Sequence, residues 1–154
     1  MQTYMDEHKL IDQLRKCRLR ATGQRLAVMQ TLLETRNHPS AEDIFQKLKR
    51  SHPTLSLSTV YKTLQMMADM GALLTIETGS GSQRFDGHTH PHHHAVCTKC
   101  NKVLDVDFDR YPIDLNKKEV LADFDVQGIK ITFSGTCQVC KAIMGKVTAP
   151  PASD

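Results

Sequence analysis

Two Cys-x-x-Cys pairs, Cys97-Thr98-Lys99-Cys100 and Cys137-Gln138-Val139-Cys140, lie in one chain, and the run His92-His93-His94 stands just before the first. Four thiolates in two close pairs are the donor set of a closed tetrahedral zinc site, because each pair grips the ion from one turn and the ion cross-links the chain between them. Zinc holding four sulfurs has no open position. The imidazoles are left to build a second centre of different chemistry. That division into a structural metal and an exchangeable one is the leading clue to function.

The chain has 154 residues, enough for one domain or two small ones, and its 40% apolar content can support a core. It has no Trp and few aromatics, so a metal staple would help a small second half. No run of eighteen apolar residues is present, and Met1 to Leu10 is polar and charged, which predicts neither a membrane span nor a signal peptide. A cytosolic location is expected. Five cysteines in a reducing compartment favour metal ligation over disulfides. Cys17, the odd one, lies apart in a helical segment and reads as a small helix residue rather than a redox group.

The net charge of +3 conceals an asymmetry. Residues 1–75 carry 11 Lys and Arg against 7 Asp and Glu, whereas residues 76–154 carry 9 against 10. Phosphate contacts by Lys and Arg supply most non-specific DNA affinity, so the basic front half gives mild support to a nucleic-acid-binding role.

Elements that could position these groups follow from periodicity. Asp6 to Arg18 carries Leu10, Ile11, Leu14 and Cys17 on one stripe, a first helix. Thr22 caps a second, with Leu26, Met29, Leu32 and Leu33 at helical spacing. A third starts near Pro39-Ser40, carries Ile44, Phe45 and Leu48, and breaks at Ser51-His52-Pro53. A fourth opens at Leu57 and runs to Gly71, a natural C-cap. Two alternating stretches, Leu73 to Glu77 and Ser82 to Asp86, joined by Thr78-Gly79-Ser80-Gly81, predict a hairpin.

Helices followed by a hairpin describe a winged helix-turn-helix, whose later helix enters the major groove. Recognition would fall on Ser58, Thr59, Tyr61 and Lys62, near the start of the fourth helix. Hydroxyls and the ammonium meet phosphates, and the Tyr61 ring suits a thymine methyl. Periodicity allows equally that Tyr61 packs against the third helix.

The grammar changes beyond Gly87. Gly87-His88-Thr89-His90-Pro91 reads as a hinge, followed by short strands near His92 to Val96 and Lys102 to Phe108. A helix around Asp114 to Ala122 leads into a strand, Phe124 to Phe133, before the second cysteine pair. Residues 92–146 are too few to be comfortable alone, so zinc and self-association are expected to support them. Gly145 to Asp154 trends to Pro, Ala and Ser and reads as a tail. The predicted fold is therefore α+β: a DNA-binding domain over 1–86, a hinge over 87–91, a dimerisation and metal-binding domain over 92–146, and a flexible tail over 147–154.

As a set, these residues resemble the ferric-uptake-regulator (Fur) family of metal-dependent repressors. The likeness covers nearly the whole chain: Thr22-Gly23-Gln24-Arg25-Leu26, His38-Pro39-Ser40-Ala41, Ser58-Thr59-Val60-Tyr61, Arg84-Phe85-Asp86 and His92-x-His94-x-x-Cys97-x-x-Cys100, in this order and spacing. Arg25 joins the recognition residues as a DNA-contact candidate. The resemblance implies a homodimer on double-stranded operator DNA and a regulatory metal held by His38, Asp86, His92, His94 and Asp105. Such a nitrogen and oxygen set suits Fe(II) or Mn(II) better than the thiolate cage, which suits Zn(II). Metal occupancy would fix the DNA-binding domains at the operator's spacing.

Aspartate at positions 86 and 105, where iron-sensing members resemble the pattern with glutamate, is similar to the peroxide-sensing PerR branch. That likeness implies oxidation of His38 or His92 to 2-oxo-histidine, loss of metal and release of DNA. An iron- or zinc-responsive repressor is the alternative. Two departures stand out: Gly23 replaces a common proline, and an additional metal site is missing its residues at Pro91 and around Gln127-Gly128.

Bland readings fit the other histidines. His93 should point to the opposite strand face from His92 and His94. His88 and His90 read as solvated hinge residues, His52 as a turn residue and His8 as exposed. Asp107 and Asp109 read as surface charges. An enzyme is not expected: a metallohydrolase would need a substrate pocket or nucleophile elbow that no motif supplies, and two separated Cys-x-x-Cys pairs favour zinc over thioredoxin-like exchange. No membrane partner is expected, and no small-molecule substrate beyond the peroxide signal.

Overall fold

A computed structural model describes residues 7–35, 37–79, 81, 83–90, 92–107 and 131–147. The chain divides into two units, Met1–His90 and Pro91–Asp154.

In the first unit, α1 (Glu7–Lys16) buries Leu10 and Leu14, the stripe read from its spacing. Helix α2 (Gly23–Glu34) starts at Thr22, whose hydroxyl accepts the Arg25 N–H at 3.4 Å. Helix α3 (Ala41–Leu48) opens on a reciprocal cap, in which the Ser40 hydroxyl accepts the Asp43 N–H and the Asp43 carboxylate accepts the Ser40 N–H. Helix α4 (Leu57–Asp69) is capped by Ser56 and buries Val60, Thr63, Leu64 and Met67. At its end Gly71 takes a φ of 69°, and the bonds Ala72 N–H to Met67 O and Gly71 N–H to Ala68 O close a Schellman motif. These apolar faces meet in one core with Leu73 and Phe85.

The hairpin pairs β1 (Leu74–Glu77) with β2 (Gln83–Asp86) in antiparallel register, Leu74 opposite Asp86 and Glu77 opposite Gln83. It is tied back to the start of α3. Phe85 N–H donates to Pro39 O at 3.0 Å, and Ser40 bridges to Arg84. The two ends of a long sequence separation are thereby fixed as neighbours, with His38 at one and Asp86 at the other.

In the second unit, β3 (His93–Cys97) is the central strand of three, antiparallel to β4 (Val103–Val106) and parallel to β5 (Thr132–Gly135). The expected helix at Asp114 to Ala122, and the expected strand before Ile131, lie outside the described residues. Helix α5 (Gln138–Val147) was not anticipated, and it carries helical backbone into the stretch read as a tail. The spacing of Val139 and Ile143 is helical, and the cysteine pair expected in a metal-binding turn stands at the start of this helix.

Candidate metal centre

The thiolate site assembles within the second unit. Cys97 ends β3, Cys100 follows in a tight turn closed by Asn101 N–H to Cys97 O, and Cys137 and Cys140 straddle the start of α5. Thr98 N–H donates to Gly135 O at 2.8 Å, which holds the two turns side by side. All four sulfurs lie within 4.8 Å of one another, and Cys100 Sγ stands 3.8 Å from Cys137 Sγ. Zn–S bonds of about 2.3 Å in a tetrahedron put sulfurs about 3.8 Å apart, so this cage matches the ion in size and donor type. The cysteines are free thiols, not disulfides.

Electrostatics already favour a thiolate there. N–H donors from Cys137 and then Cys100 hold the Cys97 thiol down at about 6, against the opposing effect of burial. Cys140 is pushed up to about 12 by its hydrogen bonds to the Cys100 and Cys137 sulfurs. Crowded sulfurs cannot all ionise without a cation between them. Cys17 has a different environment: it is buried in the first unit, and burial raises its thiol pKa, which makes it a packing residue rather than a nucleophile.

Each unit also presents nitrogen and oxygen donors. In the first, His38 and Asp86 are both buried, with Nε2 and Oδ2 3.7 Å apart. His38 has a φ of 46°, a left-handed conformation costing a non-glycine residue about 1–2 kcal/mol. The wing contacts just described hold it there, aided by Arg84, which donates to Asp43 Oδ2 at 2.7 Å and reaches His38 O at 3.5 Å. Burial would raise the Asp43 carboxyl, but bonds from Ser40 and the Arg84 guanidinium outweigh it and lower the pKa.

In the second unit, Asp105 pairs in register with His94 across β3 and β4. Asp105 Oδ1 stands 3.5 Å from His92 Nε2 and 3.9 Å from His94 Nε2, and the two rings meet edge to face at 4.4 Å. These separations are long for hydrogen bonds and suit donors grouped around a cation. His93 takes the opposite face, as its parity predicts: it is fully buried, with its ring 6.4 Å from that of Phe133. His90 and Asp107 are exposed, and His52 bonds to Ser51 in the turn after α3. Asp109, Pro91 and Gln127-Gly128 lie outside the described residues.

Of the DNA-contact candidates, Ser58, Tyr61 and Lys62 are exposed at helical spacing on one face of α4. Thr59 is half-buried, its hydroxyl 2.9 Å from that of Ser56 at the cap. Arg25 is half-buried and donates to Arg20 O at 3.0 Å. Three further residues with roles at these sites had no signal in the spacing: Glu42 on α3, Arg84 as a clamp, and His88 beside Asp86.

A family model described as "Ferric uptake regulator family" matches residues 16–134. The chain is 38% identical over 142 residues to the peroxide-responsive repressor PerR of Staphylococcus epidermidis, covering 88% of this chain and 92% of that one. It is 37% identical to the Staphylococcus aureus (strain Mu50) protein of the same name, covering 88% and 93%. Among solved structures, the Campylobacter jejuni peroxide stress regulator is similar, with a TM-score of 0.66, 28% identity and coverage of 88% and 100%. The Helicobacter pylori ferric uptake regulator Fur shares the fold, with a TM-score of 0.75, 18% identity and coverage of 92% and 97%.

Proposed function

Given that the chain belongs to the ferric uptake regulator family, we propose that it is a metal-dependent repressor that senses hydrogen peroxide. Its relatives at 37–38% identity are named as peroxide-responsive repressors, which supports a regulator rather than an enzyme. No helix among the described residues is long and apolar enough to cross a membrane. The observation that carries the reading is the division of hard donors, His38 and Asp86 on the helical unit and His92, His94 and Asp105 on the sheet unit. A single Fe(II) or Mn(II) ligated by all five would join the units through residues 87–91, acting as a clasp. Zn(II) on Cys97, Cys100, Cys137 and Cys140 would be permanent, because a closed sulfur cage offers no exchange position.

Residues 1–86 would then bind operator DNA through Ser58, Thr59, Tyr61, Lys62 and Arg25, and residues 92–146 would pair two copies. Exposed Leu104, Phe133, Val139, Ile143 and Met144 on the second unit support that pairing, since apolar side chains left in water favour burial against a partner. Bound Fe(II) would supply the reductive cleavage of peroxide, one oxygen going to the ring and the other leaving as water, so that the two-electron oxidation of the ring balances. His38 and His92 are the rings to which the proposal assigns that oxidation; a 2-oxo ring would be a poorer donor, so the clasp would open and DNA be released.

Protein loaded with Fe(II) or Mn(II) tests this, using a DNA fragment selected from a random pool by the Mn(II) form. Peroxide should release DNA from the Fe(II) form alone, with one oxygen added to the peptide holding His38 or His92. Fe(II) protein that stays on DNA without gaining oxygen would make it an iron sensor instead.

A further inference from the structure

His88 reads from sequence as a solvated hinge residue, but its ring is engaged. Asp86 Oδ1 accepts the His88 backbone N–H at 2.8 Å, and His88 Nδ1 stands 3.2 Å from the same oxygen. The other carboxylate oxygen, Oδ2, faces His38 Nε2 at 3.7 Å. The carboxylate is buried, whereas the imidazole that touches it is 57% exposed. The two oxygens of Asp86 thus point to different partners.

We propose that His88 is a positioning residue that reserves Asp86 Oδ1, so that the carboxylate offers the regulatory ion Oδ2 alone. The inference rests on the proposed assignment of Asp86 as a ligand. Carboxylates bind metal through one oxygen or two, and an aspartate free to turn can supply both. Two donors on Oδ1 remove that freedom. With the Asp86 carboxylate ionised, Nδ1 carries a proton and donates to Oδ1. Partners of this kind, one bond removed from the ion, set the orientation of ligands and the properties of the metal.

The consequence concerns access. If the five proposed side chains gave one atom each, they would be one short of the six donors of an octahedral ion, which would leave a small molecule a place to bind. Chelation by both Asp86 oxygens would fill that place. On this geometry the imidazole of His88, itself no ligand, keeps the site open.

Co(II) added to the full-length, zinc-containing protein reports coordination number through its visible absorption, which weakens markedly when a sixth donor completes an octahedron. Co(II) spectra and affinities would be compared for wild type, His88→Ala, His88→Asn and Asp86→Ala. Expected are a drop in d–d absorption for His88→Ala and a wild-type spectrum for His88→Asn, whose amide N–H replaces Nδ1–H. A His88→Ala spectrum identical to wild type overturns the proposal. So does a collapse of Co(II) affinity in His88→Ala that Asn fails to restore, because the ring would then be a ligand. Asp86→Ala separates the two levels: unchanged Co(II) affinity and spectrum there would remove Asp86 from the ligand set, whatever His88 does.

Discussion

The Tyr61 hydroxyl donates to Glu42 Oε1 at 2.6 Å, tying α4 to the first turn of α3 across nineteen positions of sequence. The reading in which Tyr61 packs against the third helix is the one this bond bears on. Its hydroxyl is spent on the third helix, while the residue as a whole stays 37% exposed. The hydrogen bond lowers the Glu42 carboxyl pKa and raises that of the Tyr61 phenol, each being the largest cause of the other's shift.

On the proposed DNA contact the ring rather than the hydroxyl would meet a base, so Tyr61→Phe should leave operator affinity nearly unchanged, and Tyr61→Ala should cost about 1–3 kcal/mol, comparable to one mismatched base pair. Fluorescence anisotropy on one operator decides it. A Phe variant as weak as Ala would put the hydroxyl on the DNA. The pair also has two pH edges. Glu42's contribution is present above its unfolded pKa of about 4.3 and is lost as pH falls through its lower folded value; Tyr61's is present below about 10 and is lost as pH rises through its higher one. Glu42→Gln should return the phenol toward its ordinary value in a UV titration referenced to Tyr61→Phe, with stability reduced by less than about 1 kcal/mol between the edges because the pair is exposed.

Gly23 is the first residue of α2 and has open space where a Cβ would stand. Thr22 before it has φ −98° and ψ 154°, the extended conformation that a following proline requires. Proline at this position sacrifices no helical hydrogen bond. Gly23→Pro should therefore stabilise the protein by about 0.4–1 kcal/mol, chiefly by restricting the unfolded chain. Urea denaturation at constant m-value is the measurement, and a loss of stability would mean the cap geometry shifts.

Helices α1 to α4 and the wing were legible because each carries its own punctuation: an apolar stripe, a hydroxyl cap at Thr22 or Ser40, and Gly71 at the end of α4. The cysteine cage was legible for the same reason, since ligand type and spacing are local. What escaped were relations between distant or aperiodic side chains. Glu42 meets Tyr61, and Arg84 meets Asp43, only after the helices pack. His88 lies two residues from Asp86, but nothing in its spacing says the ring turns back. Helix α5 was obscured because its stripe lies exposed, where Val139 and Ile143 give no sign of a core.

Cys97→Ser should lose the proposed structural zinc, because a serine hydroxyl stays protonated where the ion needs an anion, whereas N–H donors hold the Cys97 thiol down at about 6. The expected loss is several kcal/mol in the second unit, with zinc content falling and the proposed dimer dissociating in sedimentation. Cys17→Ser is the contrasting variant: its thiol lies in the other core and zinc content should be unchanged. Retained zinc in Cys97→Ser would remove that sulfur from the cage.

Asp105 is 54% exposed, so one extra methylene at this position has solvent to enter, and Asp105→Glu should fold normally. Its effect belongs to the chemistry. A longer carboxylate reaches past the position where Asp105 Oδ1 now faces both His92 and His94, and it can turn to offer two oxygens. The variant should still bind Mn(II) and operator DNA, but in the Fe(II) form it should need several-fold more peroxide for release. The same oxidant should add less oxygen to the peptides carrying His38 and His92, read by mass spectrometry. Unfolding of Asp105→Glu would show that the carboxylate is a structural group, and undiminished peroxide sensitivity would show that aspartate at this position does not set the branch chemistry.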